Sequence, residues 1–440
     1  MTTRIVRTQV TGTSTKKFTL SAWVKKSSNT TGNDQVIFDN YANGSDRMTL
    51  YFTSAATLGF YAEKGGSSFN ITTNRAFRDV NAWYHIVLRV DTDQGNNAHR
   101  SRLYINGTEE TSFGTANYAS SGFALPMGTS SYTTGFGWYG GGGSSVFEGL
   151  MSHLNFIDGE DRTPDYFGET DSTTGEWKIK TTISGVTYGN NGFFILKDGN
   201  SLTDQSGENN NFTLNTGTLT KTEDCPSNVF ATLNPLDNYY ASATYSNGNL
   251  SITTDTSKYA PSYSTLGASS GKYYAECKMT AGSSARIGII SRLPQDTGAT
   301  SSPGNDAYSV GYYSVSGDYY KGSSSTSYGN SYTNGDIIGI AMDLDNNRLF
   351  FSKNGTWQNS GDPTSSTGAI TIPTSYSGFY HFAVSDQHDG ENAGFTWNFG
   401  NGYFGTTAVS SAGTNASGLG IFEYDVPSGY TALCTKGLNL

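Results

Sequence analysis

The chain has 440 residues, more than one ordinary hydrophobic core accommodates, so two or three domains are expected. Charged residues make up only 15% and the net charge is −10, with no block of lysines or arginines. This excludes duplex nucleic acid and an anionic membrane surface as partners, and no window approaches the roughly eighteen apolar residues of a membrane span. The chain contains 54 Gly, 29 Tyr, 24 Phe and 6 Trp, embedded in Ser, Thr and Asn. Aromatic and β-branched residues recurring between turn formers predict an all-β protein with many short strands. The N-terminus, MTTRIVRTQV, lacks an apolar h-region, so no secretion is expected. Cys225, Cys277 and Cys434 have no metal-knuckle or CxxC spacing. Their odd number leaves room for one bridge at most and fits three reduced thiols in a reducing cytoplasm.

Residues 1–160 read as a run of strands. In FTLSAWVKK (18–26), Phe18, Leu20, Ala22 and Val24 alternate with Thr19, Ser21 and Trp23. QVIFDNY and MTLYF follow, with NGSD between them as a turn. AWYHIVLRVD (82–91) sets Tyr84, Ile86, Leu88 and Val90 on one face and Trp83, His85, Val87 and Arg89 on the other. SRLYINGTEE is a strand, an Asn-Gly turn and a return strand, and FEGLMSHLNFID (147–158) closes the block. Residues 161–225 are less regular. Pro164 predicts a short helical turn, EWKIKTTI and GFFILKDG predict strands, and Trp177, Phe193 and Ile195 mark a connector subdomain with buried residues of its own. Residues 226–440 form a second strand-rich block, clearest in KYYAECKM (272–279), ARIGIIS (285–291), YSVGYY (308–313), DIIGIAMDL (336–344), RLFFS (348–352), YHFAVSD (380–386) and FTWNFG (395–400). No ten-residue segment has helical periodicity. The fold class is therefore all-β, two antiparallel β-sandwiches joined by a small connector containing strands.

Three resemblances attach to these phrases. FTLSAWVK, WYHIVLRVD, RLYINGTEE and FEGLMSHLNFID resemble, in order, the concanavalin A-like, laminin G-like lectin/glucanase superfamily over roughly residues 1–160. GKYYAECKM, ARIGIISR, YSVGYY and above all NGDIIGIAMDLDNNRLFFSKNGTW resemble a SPRY domain over roughly 226–435. The echo of RLYINGT in FFSKNGT needs no duplication, since both families use an NG-turned hairpin. The joining phrases DCPSNVFATLNPLD (224–237) and FEYDVPSGYTALCTKGLN (422–439) resemble structural proteins of marine bacteriophages that pair a lectin-like with a SPRY-like sandwich. That resemblance implies a virion component assembled in a bacterial cytoplasm.

The lectin-like superfamily includes glucanases, whose ExDxxE motif sets carboxylates on one strand face. No ExDxxE is present. The nearest pairs, DTD (91–93) and DLD (343–345), sit where strands run into turns and read as turn residues. His85, His99, His153, His381 and His388 lack ligand spacing, and GGGG (140–143) lacks the ending of a phosphate loop. No enzyme is expected. Laminin G-like folds often hold calcium through loop carboxylates, and Asp34, Asp39, Asp46 and Asp158 are the candidates here. Asp also serves turns for its own reasons, and no ligand string fixes a site, so no cofactor is expected.

Ligand binding is expected on aromatic loops instead. SYTTGFGWYGGGG (131–143) carries Tyr132, Trp138 and Tyr139, and SVSGDYYKGSSSTSYG (314–329) carries Tyr319, Tyr320 and Tyr328. Aromatic faces stack on sugars, and the same rings anchor assembly interfaces. The resulting expectation is a non-enzymatic virion surface protein of the capsid decoration, knob or tail-fibre type. Its partners are other virion proteins and a host-surface glycan or protein, and it is present as a homo-oligomer or in multiple copies. A carbohydrate-binding lectin or glucan hydrolase is the alternative.

Overall fold

Period-2 alternation of apolar residues builds both halves of the molecule. The computed structural model describes residues 3–29, 32–180, 182–197, 199–237, 243–254, 261–291, 302–387 and 392–439; His388 lies outside them. The chain divides into two units, Met1–Lys221 and Thr222–Leu440.

In the first unit an eight-stranded sheet runs in the order Phe113–Asn117, Ser67–Ala76, Thr57–Lys64, Asp46–Phe52, Gln35–Asn43, Thr133–Phe136, Arg4–Thr8 and Thr213–Thr216. A six-stranded sheet runs Phe193–Ile195, Gly149–Asp158, Lys17–Lys26, Trp83–Asp91, Ser101–Ile105 and Thr108–Glu109. All these pairings are antiparallel. Phe18, Leu20, Ile86 and Leu88 from one sheet and Phe38, Leu50, Phe60 and Ile71 from the other share the core. The expected connector is built into this unit. Phe193–Ile195 extends the six-stranded sheet, Thr213–Thr216 extends the eight-stranded one, and Pro164 starts a single 3₁₀ turn.

The six-stranded sheet is buried on its other face as well. Val87, Tyr104, Ile157 and Phe194 of the sheet pack there against Phe167 and Tyr188 of the covering segment. Thr19, Ser21 and His85 are consequently buried in the phase that alternation alone assigns to solvent.

The second unit repeats the plan. One sheet follows the path Thr244–Ser246, Ser251–Thr253, Gly394–Asn398, Lys272–Ala281, Ile337–Asp343, Arg348–Lys353 and Thr356–Trp357. A second, six-stranded sheet runs Ser262–Tyr263, His381–Asp386, Ala285–Ile290, Ser309–Tyr313, Asp318–Lys321 and Ser324–Ser327. Cys277, Ile287, Ile338, Ile340, Phe351 and Trp397 lie in the core between them. The outer face of the first of these sheets is again covered. Tyr274 and Phe350 pack against Phe230, Phe422 and Tyr430. The two joining phrases thus lie together, linked by Ala231 N–H donating to Leu433 O (3.0 Å) and Thr435 N–H donating to Val229 O (2.9 Å). The three cysteines are unpaired.

Each covering layer is tied to an Asn-Gly turn. Asn106 and Gly107 have φ of 48° and 80°, and Asn354 and Gly355 have the same values, the left-handed pair of a type I′ hairpin. Asn106 Oδ1 accepts the His85 N–H (2.8 Å), and Asn354 Oδ1 accepts the Ile337 N–H (2.8 Å), so each Asn side chain adds a rung to its ladder. A Cβ on Gly107 would meet the Trp177 ring at 2.5 Å, and one on Gly355 would meet the Tyr424 ring at 2.6 Å. Gly107→Ala therefore costs both the left-handed conformation and the ring contact, ~3 kcal/mol. Gly66→Ala, at φ 81° with open space around it, costs only the first, ~1 kcal/mol. Equal losses in urea unfolding would contradict the ring contact.

Glu276 fastens the second covering layer. Its buried carboxylate accepts the backbone N–H of Glu423 (2.9 Å) and Tyr424 (2.9 Å), the Asn398 amide (3.1 Å) and the Tyr274 hydroxyl (3.2 Å). Burial outweighs these donors and pushes the carboxyl up from 4.5 to about 7. The folded state then holds a proton that the unfolded state has lost, so this contribution is full below pH 4.5 and fades as pH rises to about 7. Glu276→Gln turns one donor toward other donors and costs ~1–3 kcal/mol. It also flattens the fall in stability between pH 5 and 7; a slope unchanged in the variant would assign the proton elsewhere.

Candidate ligand-binding face

The strands Gln35–Asn43, Asp46–Phe52 and Thr57–Lys64 send Phe38, Met48, Leu50 and Phe60 inward. Their other phase carries Asp39, Tyr41, Arg47, Tyr51, Tyr61 and Glu63. The register aligns Thr133, Tyr41, Arg47, Glu63 and Ser68 in one row, and Gly135, Asp39, Thr49, Tyr61, Asn70 and Asn117 in the next. Arg47 lies at the centre. It donates to the Tyr139 hydroxyl (2.6 Å), pairs with Glu63 (3.4 Å), and lies 5.1 Å from the Tyr61 ring centre and 5.9 Å from that of Tyr139. Tyr41 meets Tyr139 edge to face at 5.5 Å. The result is a half-buried platform of three tyrosine rings, one guanidinium and one carboxylate.

The loop that brings in Tyr139 is held by a buried ion pair. Arg4 Nη2 contacts both Asp39 oxygens at 3.1 and 3.2 Å, and its Nε donates to Trp138 O (3.1 Å). Gly140 N–H donates to Asp39 Oδ2 (2.9 Å). Burial pushes the Asp39 carboxyl up to about 6 against the pull of Arg4. The half-buried Trp138 donates its indole N–H to Gly143 O (3.0 Å).

Of the six aromatic residues singled out in the sequence, Tyr139 joins this platform and Trp138 flanks it on the same loop. Tyr132 is buried, with its hydroxyl accepting from Lys64 and the ammonium 4.7 Å from its ring centre. The other three belong to the second unit, where the expected loop is a β-hairpin, Asp318–Lys321 with Ser324–Ser327. Neighbours on a strand point to opposite faces. Tyr319 packs against the core, whereas Tyr320 lies under the Arg286 guanidinium at 3.6 Å. Tyr328 is a core residue, packed on Tyr312 and Phe351, with its hydroxyl accepting the Phe351 N–H (3.2 Å). Tyr41, Arg47, Tyr51, Tyr61 and Glu63 are not among the residues expected from aromatic loops; their signal in the sequence is large aromatic and charged side chains in the phase opposite Met48, Leu50 and Phe60. Tyr376 and Phe379 of the second unit are exposed as well, and the Tyr376 ring lies tilted against Tyr308 with centres 5.1 Å apart.

The carboxylates offered for calcium are otherwise engaged. Asp39 serves Arg4, Asp158 accepts backbone N–H groups of Thr13, Ser14 and Asn191, Asp46 accepts from Gly65 and Asn43, and Asp34 accepts from Ser54. Among the described residues no three metal-ligating side chains converge. DTD and DLD are turn anchors: Asp91 pairs with Lys17 (2.9 Å), Asp343 with Lys272 (3.2 Å), and Asp345 accepts from Gly271 (2.7 Å).

One serine–histidine contact has catalytic distance but not catalytic polarity. His85 is buried between the Trp23 and Trp177 rings, at 4.7 and 5.9 Å, and meets Ser21 Oγ at 2.8 Å through Nε2. The Trp177 indole can only donate, and it donates to His85 Nδ1 (2.9 Å). The proton therefore sits on Nε2, facing Ser21, and the ring cannot take the serine's proton. Burial pushes His85 down to about 3, which keeps it neutral.

Residues 2–165 match the family model of the concanavalin A-like lectin/glucanases superfamily, and residues 272–371 match that of the SPRY domain. The chain carries a concanavalin A-like domain and a SPRY domain. No curated protein matches it. Among solved structures it is similar to the SPRY domain of human HERC1, at 16% identity over 38% of this chain and 96% of that one, TM-score 0.28. It is similar also to the heptameric SAP-like pentraxin of Limulus polyphemus, at 19% over 37% and 72%, TM-score 0.28. A human SPRY domain is similar at 20% over 33% and 91%, TM-score 0.25. Laminin G-like and SPRY domains commonly mediate protein or glycan binding.

Arg4→Met would strand the buried Asp39 carboxylate and release the Trp138–Gly140 backbone. The expected loss is ~3 kcal/mol in urea unfolding at pH 8, with a shift in the Trp138 indole signal. A loss below ~1 kcal/mol would show that the pair does not hold the loop.

Proposed function

We propose that the chain is a non-enzymatic recognition protein, with the Tyr41–Arg47–Tyr61–Tyr139 platform of the concanavalin A-like domain as its glycan-binding face. The observation that carries this reading is the platform itself: three partly exposed rings around a guanidinium–carboxylate pair on the outer face of the eight-stranded sheet. Rings offer apolar stacking area, and the paired charges and the Asn70 and Asn117 side chains offer hydroxyl partners. The protonated face of His85 toward Ser21, and the absence of ExDxxE, support a binding role over hydrolysis.

In this reading the protein is displayed on a bacteriophage particle as a capsid decoration, knob or tail-fibre protein, in several copies and without a cofactor. The SPRY domain contacts another virion protein or a host protein. The resemblance of 224–237 and 422–439 to phage structural proteins supports this, and these two segments pair into one layer. A glycan array probed with the isolated chain should give discrete hits without reducing-sugar release, and Tyr139→Ala and Trp138→Ala should weaken them at least tenfold. Sugar release would favour the glucan hydrolase alternative, and hits unchanged in both variants would move the site elsewhere. Antibody labelling of purified phage tests display; antigen confined to non-virion fractions would sink it.

A further inference from the structure

The covering layer of the first unit leaves part of the six-stranded sheet open. It roofs His85, Val87 and Tyr104. Nearby is a small, solvent-open cleft lined by Arg89, Asp91, Gln94, His99, Arg102 and Asp161. Arg89 and Arg102 stand directly opposite each other on neighbouring antiparallel strands. Like charges in that register weaken a sheet, and here each is offset by a carboxylate of its own, Asp161 for Arg89 and Glu109 for Arg102.

The two arginines differ in what they hold. Arg89 donates to the Tyr104 hydroxyl (3.0 Å) and to Asp161 (3.0 Å). Asp91 pairs with Lys17 (2.9 Å) and accepts the Gln94 amide (2.8 Å). Arg102 makes one ion pair, from Nε to a half-exposed Glu109 at 3.5 Å, and its two Nη groups have no acceptor among the described residues. The Nη fork of Arg102 is thus the one guanidinium edge in this polar cleft with no acceptor among the described residues.

We propose that this cleft binds a carboxylate-bearing sugar, a hexuronate unit of a glycan, with Arg102 as its anchor. A guanidinium fork matches a planar carboxylate in a bidentate pair. The Gln94 side-chain amide oxygen, the His99 ring and the two carboxylates supply hydroxyl partners around it, and the open mouth of the cleft lets one sugar unit of a longer glycan reach the fork from solvent. The overall charge of −10 disfavours a densely charged polyanion, so one carboxylate among hydroxyls is the better fit. The inference rests on the reading of this domain as glycan-binding, but the site lies on the other sheet from the tyrosine platform.

The test is calorimetric titration of the full chain with trigalacturonate and with its methyl ester, which differ in the carboxylate charge. The acid should bind at least tenfold more tightly than the ester. Arg102→Gln should abolish that preference, and Tyr139→Ala should leave it intact. If Arg102→Gln does not fold, Arg102→Lys keeps the charge without the fork, and the preference should fall at least threefold. Equal binding of acid and ester, or a preference that survives both substitutions, overturns the proposal. A preference lost in Tyr139→Ala but kept in Arg102→Gln would assign the uronate to the platform. Array hits that depend on Tyr139 together with no response to either trisaccharide would leave the platform standing and remove the cleft.

Discussion

A ring pressed onto the glycine of a left-handed turn fastens a distant segment to each sandwich. Trp177 does this at Gly107 and Tyr424 at Gly355. Only glycine gives the positive φ without a Cβ in the way of the ring. The consequence is a third layer. With the covering segment in place, the outer face of the adjoining sheet becomes a second core, of Val87, Tyr104 and Phe194 in one unit and Tyr274, Phe350 and Phe422 in the other. Polar groups trapped there must be satisfied internally. His85 and Glu276 are the two clearest cases, one held between an indole and a serine, the other by four donors.

This constraint also distributes function. In the first unit the six-stranded sheet gives most of its outer face to the covering layer, and the tyrosine platform lies on the eight-stranded sheet. The platform is rigid because its residues stand on strands and its one loop is anchored by the buried Arg4–Asp39 pair. A preformed aromatic face of this kind loses little conformational entropy on binding, which suits recognition of a weakly hydrophobic ligand such as a glycan.

Much of this was legible in the sequence. The strands of FTLSAWVKK, WYHIVLRVD and DIIGIAMDL, both Asn-Gly hairpins and the division into two strand-rich blocks follow from period 2 and turn chemistry, and the order of the two sandwich types from the resemblances. The covering layers were not legible. Their contacts are long-range, and alternation sets Ser21 and His85 on the face away from the core because nothing local reveals a roof. Glycine and serine around Tyr319, Tyr320 and Tyr328 read as a loop. The residues form a hairpin instead, and strand geometry then separates Tyr319 from Tyr320 and sinks Tyr328 into the core. The platform escaped notice for a related reason. Tyr41, Tyr51 and Tyr61 sit on regular strands, whereas glycine-rich aromatic loops point to Tyr132, Trp138 and Tyr139, of which Tyr132 is buried.

The six tryptophans provide a direct reading of the central claim, since each gives one indole N–H signal in an NMR spectrum of the full chain. On titration with a glycan drawn from the array hits, the account predicts a progressive shift of the Trp138 signal, while the Trp177 and Trp397 signals stay in place. Movement of Trp177 with Trp138 unmoved would contradict it, placing the ligand on the covered sheet and not on the tyrosine platform.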